Sequence, residues 1–196
     1  MRRRWNDAAT ALAVATLLGS VRKARTHKVD PVEEHVFRLV NDAPNGAHLP
    51  LWTVMQSGSL AAVFAVSAGL LWRGRSRLAT TSLIAGVGVW AAVKAVKPLV
   101  GRGRPDCYLD HVHIRGTAQT GLGYPSGHAA VAFVLAMIAT RDLNPSIRAA
   151  ALAVAGVAGG ARMSVGAHLP LDVAGGIAIG ILCSRAAEAI THSRAL

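Results

Sequence analysis

Apolar positions in this chain do not alternate with polar ones; they run together in blocks parted by short basic or Gly- and Pro-containing stretches. Pro50 to Trp72 holds no Asp, Glu, Lys or Arg and matches the roughly 20 apolar residues a helix needs to cross a bilayer. This is the clearest span. Further apolar runs cover Leu78 to Val93, which ends at Lys94 and Lys97, then Ser126 to Thr140, Ile147 to Ala161, and Leu169 to Ser184. Ala8 to Val21 is a sixth, short enough to be interfacial instead. Val32 to Val40 reads as a short amphipathic helix, not a crossing, because Glu33, Glu34 and Arg38 interrupt it. The pattern predicts an all-α fold, a polytopic transmembrane bundle of about six helices. Residues 1–49 form its N-terminal helix and interfacial segment, and residues 50–196 form the membrane-embedded core of a single domain. Met1 to Ser20 begins like a signal peptide but leads into Arg22-Lys23-Ala24-Arg25 with no cleavage motif, so it is read as part of the mature protein.

Composition sharpens this picture. Hydrophobic residues make up 52% and charged ones only 16%, which excludes disorder and argues against an ordinary soluble domain. The formal charge of +11 suits nucleic acid, an anionic membrane face or a phosphate ligand. Nucleic acid is disfavoured, because the cations are scattered between apolar blocks and aromatics are only 5%. Cys107 and Cys183 match no paired-ligand spacing and read as free thiols. Cytoplasmic loops are enriched in Lys and Arg, so Arg73, Arg75, Arg77, Arg141, Arg148, Arg185 and Arg194 are placed inside. The loop from Gly101 to Tyr124 and the turn from Arg162 to His168 then fall outside, at the extracytoplasmic ends of the last three or four helices.

Three clusters sit at those outer ends. Lys97, Arg102 and Arg104 crowd one Gly- and Pro-containing segment on the side where surplus cations should be scarce, so they call for an anion. Pro125-Ser126-Gly127-His128 opens an apolar helix, where N–H groups and the helix dipole favour bound anions and Gly127 permits close approach. In the third, His168 and Asp172 are four apart and share a helix face. The carboxylate can hold one ring nitrogen and leave the other as nucleophile or base. Taken singly, these read equally as a membrane-flanking basic stretch, a Ser-capped helix and a satisfied polar pair. Together they describe one phosphoryl-transfer site: Lys97, Arg104 and Arg162 as a cationic cradle, Ser126 and Gly127 as neutral donors, His128 facing His168 with Asp172 behind it. No carboxylate array or zinc spacing calls for a metal, and no cofactor is expected.

The three clusters resemble the signature of the type 2 phosphatidic acid phosphatase superfamily. Lys97 to Arg104-Pro105, Pro125 to His128, and Arg162 to His168 to Asp172 keep its internal spacings. Ala161 stands where the pattern usually has Ser, which removes a hydroxyl beside Arg162. The resemblance implies that His168 takes the phosphoryl group as a phosphohistidine, that Asp172 orients it, and that His128 protonates the leaving oxygen and then activates water. It also implies that Lys97, Arg104, Ser126, Gly127 and Arg162 hold the phosphoryl oxygens. Arg102, outside the motif, is expected to assist with the head group, and His111 and His113 to be solvated loop residues. The uninterrupted spans favour a lipid phosphate as substrate over the soluble branches of the family. A polyprenyl carrier diphosphate or a polyprenyl-linked phosphate is the first candidate, phosphatidic acid or phosphatidylglycerol phosphate the alternative, in a bacterial inner membrane with the site facing outward. A non-catalytic protein binding anionic lipid, or a transporter, remains the rival of another class. The sequence does not fix the oligomeric state.

Overall fold

A computed structural model describes residues 2–193 of the chain. Among them are eight α-helices and no strand: α1 (Arg2–Ala24), α2 (Pro31–Asn41), α3 (His48–Met55), α4 (Leu60–Trp72), α5 (Ser76–Val100), α6 (Gly127–Ala139), α7 (Pro145–Ser164) and α8 (Pro170–Ser193). The expected apolar runs from Leu78 onward fall on helices, and the count is eight and not six because Pro50 to Trp72 divides into α3 and α4 and the short amphipathic helix, α2, is counted beside the six apolar runs. Arg194, assigned to the inner tail, lies outside the described residues.

The clearest predicted span is broken. Pro50 to Trp72 is α3 and α4, set 66° apart across the Gln56–Gly58 turn. Gln56-Ser57-Gly58-Ser59 is a run of small and polar residues, and Ser59 restarts the helix by accepting a hydrogen bond from the Ala62 N–H at 3.1 Å. Lack of charge hid this punctuation. Among the described residues, the helices long and apolar enough to cross a membrane are α5 and α8, with the bent α3–α4 pair as a third.

The centre of the bundle is α6, packed by α5, α7 and α8. One buried cluster joins Val63 of α4, Val89 and Val93 of α5, Val131, Val134 and Ile138 of α6, and Ile179 of α8. The approach of α6 to α8 depends on two glycines four apart, so on one face. A Cβ on Gly176 would strike the Ser126 carbonyl oxygen, and one on Gly180 would lie 2.6 Å from the Ala130 carbonyl oxygen. Small residues thus let two backbones meet, as close helix packing in a bilayer requires.

The loops divide between two ends. At one, Arg75 before α5 pairs with Asp142 before α7 at 2.9 Å. At the other, α1 arrives beside the end of α5, where Ala24 packs with Val100 and Tyr124. The starts of α6 and α8 lie at this second end too, joined by the Ser126 N–H donating to the Asp172 carbonyl at 2.8 Å. Here α2 lies across the bundle. Asp30 caps it by accepting from Val32 and Glu33 N–H groups, and its Asn41 amide donates to the Met163 carbonyl at the end of α7 at 3.0 Å. Helix α2 covers the predicted Val32 to Val40 segment, with Val32 and Leu39 exposed and Glu33, Phe37 and Asn41 buried.

Candidate active site

Helix α5 ends where Gly101 turns left-handed (φ 73°) and its N–H closes on the Lys97 carbonyl at 2.9 Å. The last turn therefore holds Lys97 at the rim while the chain departs as Gly101-Arg102-Gly103-Arg104. The loop comes back upon itself, since the Gly123 N–H donates to the Arg102 carbonyl at 2.8 Å. Lys97 Nζ donates to the carbonyls of Leu122 and Gly123, both at 2.8 Å. Arg104 donates through Nη1 to the Ala167 carbonyl at 2.7 Å and through Nε to that of Thr120 at 3.1 Å.

Arg162 projects from the last turn of α7 and is buried, with Nη1 3.4 Å from the Met55 sulfur and Nε without a hydrogen-bond partner. Lys97, Arg104 and Arg162 are close enough for their charges to act on one another. Neutral carbonyls and a thioether hold them in place. No carboxylate forms an ion pair with any of the three among the described residues.

His168 occupies the short link between α7 and α8, where its N–H donates to the Arg162 carbonyl at 3.2 Å. Burial first, then the charges of Arg162, Lys97 and Arg104, hold the imidazole well below its ordinary value of 6.5. The ring is neutral near pH 7, which leaves one nitrogen with a lone pair. Its Nδ1 lies 3.4 Å from Asp172 Oδ2, in ion-pair range but long for an aligned hydrogen bond, and the ring also lies within reach of the Gly123 backbone. Asp172 is fully buried; its Oδ2 accepts from the Leu169 N–H at 2.9 Å and its Oδ1 from Arg102 Nη1 at 3.2 Å.

At the start of α6, Ser126 is the N-cap, its hydroxyl accepting from the Ala129 N–H at 3.5 Å. His128 follows on the first turn, within electrostatic reach of Arg162 and His168. Its backbone rests on Gly58, where a Cβ would collide with the His128 carbonyl oxygen, so the break between α3 and α4 is what admits α6 here. Gly127 differs. A Cβ there would meet only Val93, at 3.6 Å, so protein packing does not demand glycine.

The structure corrects one expectation. Arg102 does not face the mouth to assist a head group: it is fully buried behind Asp172 and paired with both Asp172 and Glu33. Lys94 stands apart as well, over the Trp90 ring at 3.8 Å, and His111 and His113 are exposed. Two contributors were missed, Glu33 and Met55. The signal for Glu33 was its spacing of four from Phe37 and eight from Asn41, which places all three on the buried face of α2. Ala161, in place of the usual Ser, is fully buried against Met55, Val165 and Ala167, so apolar packing fills the place of the hydroxyl.

The model of the PAP2 superfamily matches residues 76–194, well over half of the chain. The chain belongs to the PAP2 superfamily. The crystal structure of LpxE from Aquifex aeolicus is similar with a TM-score of 0.74 and 24% identity, over 83% of this chain and 98% of that one. A transmembrane PAP2-type phosphatidylglycerolphosphate phosphatase from Bacillus subtilis is similar with a TM-score of 0.73 and 18% identity, over 92% and 96%. At these identities the likeness is one of fold. No curated protein gives a significant match. The superfamily is one of phosphatases, and this PAP2 chain, with its long apolar helices, is a membrane-integral member.

Proposed function

We propose that this PAP2 protein hydrolyses a lipid phosphate by way of a phosphohistidine on His168. The observation that carries the reading is the set of three cations without carboxylate partners around a neutral, buried imidazole backed by Asp172. His168 Nε2 attacks phosphorus, the bond from phosphorus to the lipid oxygen breaks, and His128, which burial and Arg162 hold neutral until the phosphate brings its negative charge and a proton is taken up from solvent, gives that oxygen this proton. Water then surrenders a proton to His128 and attacks phosphorus, the N–P bond breaks, and phosphate leaves. Lys97, Arg104 and Arg162, with Ser126 and the Gly127 N–H, stabilise the phosphoryl oxygens throughout. The cations supply the charge a metal would otherwise bring, so the reaction is written without one.

An apolar groove of about 280 Å³ between α4, α6 and α7 supports an amphiphilic substrate. It begins at Ser57, next to the Gly58 that carries His128, and follows α6 to Thr140. A groove of this size beside His128 suits one polyprenyl tail, and a polyprenyl diphosphate is the substrate proposed. The fold shared with a phosphatidylglycerolphosphate phosphatase favours a second reading, a glycerophospholipid phosphate. Purified protein assayed on both classes with chelator present is expected to release phosphate faster from the polyprenyl diphosphate, at a rate the chelator leaves unchanged. Faster release from the glycerophospholipid would select the second reading, loss of activity with chelator would reinstate a metal, and no release from either would reject the phosphatase.

The basic residues Arg73, Arg75, Arg77 and Arg141 at the end remote from the site support an outward-facing site in a bacterial inner membrane. Cys107 is exposed in the loop beside Arg104 and serves as a reporter. A membrane-impermeant thiol reagent is expected to label it in intact cells; labelling only after the membrane is opened would reverse the sidedness.

A further inference from the structure

Behind the site, one guanidinium serves two carboxylates. Arg102 turns its fork toward Glu33, with Nη1 to Oε1 at 2.9 Å and Nη2 to Oε2 at 2.7 Å, and reaches Asp172 only through Nη1, at 3.2 Å. All three side chains are buried, and Glu33 comes from α2, 69 positions before Arg102. Glu33 Oε1 also accepts from the Leu171 N–H at 3.1 Å, so the same carboxylate grips the first turn of α8, which carries Asp172. The Tyr108 ring lies 5.9 Å from the guanidinium on a further side.

The geometry points to Glu33 and Arg102 as positioning residues that set the charge and aim of Asp172 behind His168. This rests on the phosphatase reading above and adds two residues to it that touch no substrate. In a dry interior an Arg with one carboxylate partner closes on it bidentately, because that pairing satisfies the most donors. Were Asp172 alone, Arg102 would take both its oxygens and spend its charge. Glu33 wins the fork instead. Asp172 keeps Oδ2 for the Leu169 N–H and the imidazole, and the three groups together retain one negative charge behind the nucleophile as positive charge develops on its ring. The arrangement also ties the nucleophile to α2, whose other end is fixed by Asn41 to the carbonyls of Met163 and His113.

A purely structural staple would have the same distances, so the test is a double-mutant cycle on the full-length protein with lipid phosphate. Glu33→Gln is expected to lower kcat about tenfold to a hundredfold, the range usual for a group acting through another, with KM within about twofold. In an Asp172→Asn background the same change is expected to cost less than about twofold, because the residue it acts through is already disabled. Arg102→Lys, which keeps the charge and loses the fork, is expected to behave in the same way. Additive losses in the cycle, a rise in KM at preserved kcat, or failure of both variants to yield folded protein would make the triad a staple and overturn the inference. A parent protein with no His168-dependent release from any lipid phosphate would remove the phosphatase reading and this inference with it. A working parent with additive losses would remove the inference alone.

Discussion

Replacement of His168 by Ala is expected to lower phosphate release by about 10⁴-fold or more while phosphate still binds, since the variant lacks the group that forms the covalent intermediate in the proposed mechanism. The binding half of this expectation follows from how the cations are held. Lys97 and Arg104 are fixed by the carbonyls of residues 122, 123, 120 and 167, and Arg162 by Met55, none of which is the imidazole. The imidazole forms no hydrogen bond to another side chain, so its loss leaves a small cavity that costs roughly 1–3 kcal/mol and not an orphaned charge. Rapid-mixing assays of phosphate release, set beside equilibrium binding of inorganic phosphate, check both halves. Retained release would mean that water attacks phosphorus directly; lost binding would mean that the side chain shapes the cradle.

Asp172→Asn carries the second largest expected effect, a fall in kcat of roughly 10³- to 10⁴-fold with little change in KM. Asn keeps the shape and can still accept from the Leu169 N–H, now 2.9 Å from Oδ2, so the first turn of α8 stays in place. The charge is what disappears. Without it the ring proton is no longer drawn to Nδ1, so Nε2 is not held as the lone-pair nitrogen, and the imidazole gains no support as it bonds to phosphorus. Arg102 would then answer to Glu33 alone. Steady-state kinetics over a range of lipid phosphate concentrations separates this from a binding defect, for which KM would rise while kcat held.

The motif residues stand out in the sequence because each cluster is defined by local spacing. His168 and Asp172 are a helical turn apart, and Ser126 to His128 open an apolar run, so chemistry could be placed on helix ends before any fold was known. Arg102 shows where that reasoning stops. In the sequence it is one cation among three between Lys97 and Arg104, and only Glu33, far upstream on another helix, makes it a buried support. Long-range ion pairs leave no periodic trace. The break at Gln56–Gly58 was hidden differently: a charge-free run meets the length requirement for a span, while the reason to bend, the seat that Gly58 provides for His128, belongs to tertiary packing. The buried face of α2 was half visible. Its amphipathic pattern was clear, but Glu33 was counted among the polar interruptions although it shares a face with Phe37.

The central claim is that phosphorus is bonded to His168 during turnover, and trapping that bond tests it most directly. In a His128→Ala protein given an aryl phosphate, whose leaving oxygen needs no proton, formation of the intermediate continues while its hydrolysis stalls. The account predicts a burst of about one phenolate per protein and phosphate retained on His168 as an acid-labile, alkali-stable adduct. Phosphate appearing in step with phenolate, or label on any other residue, would contradict it.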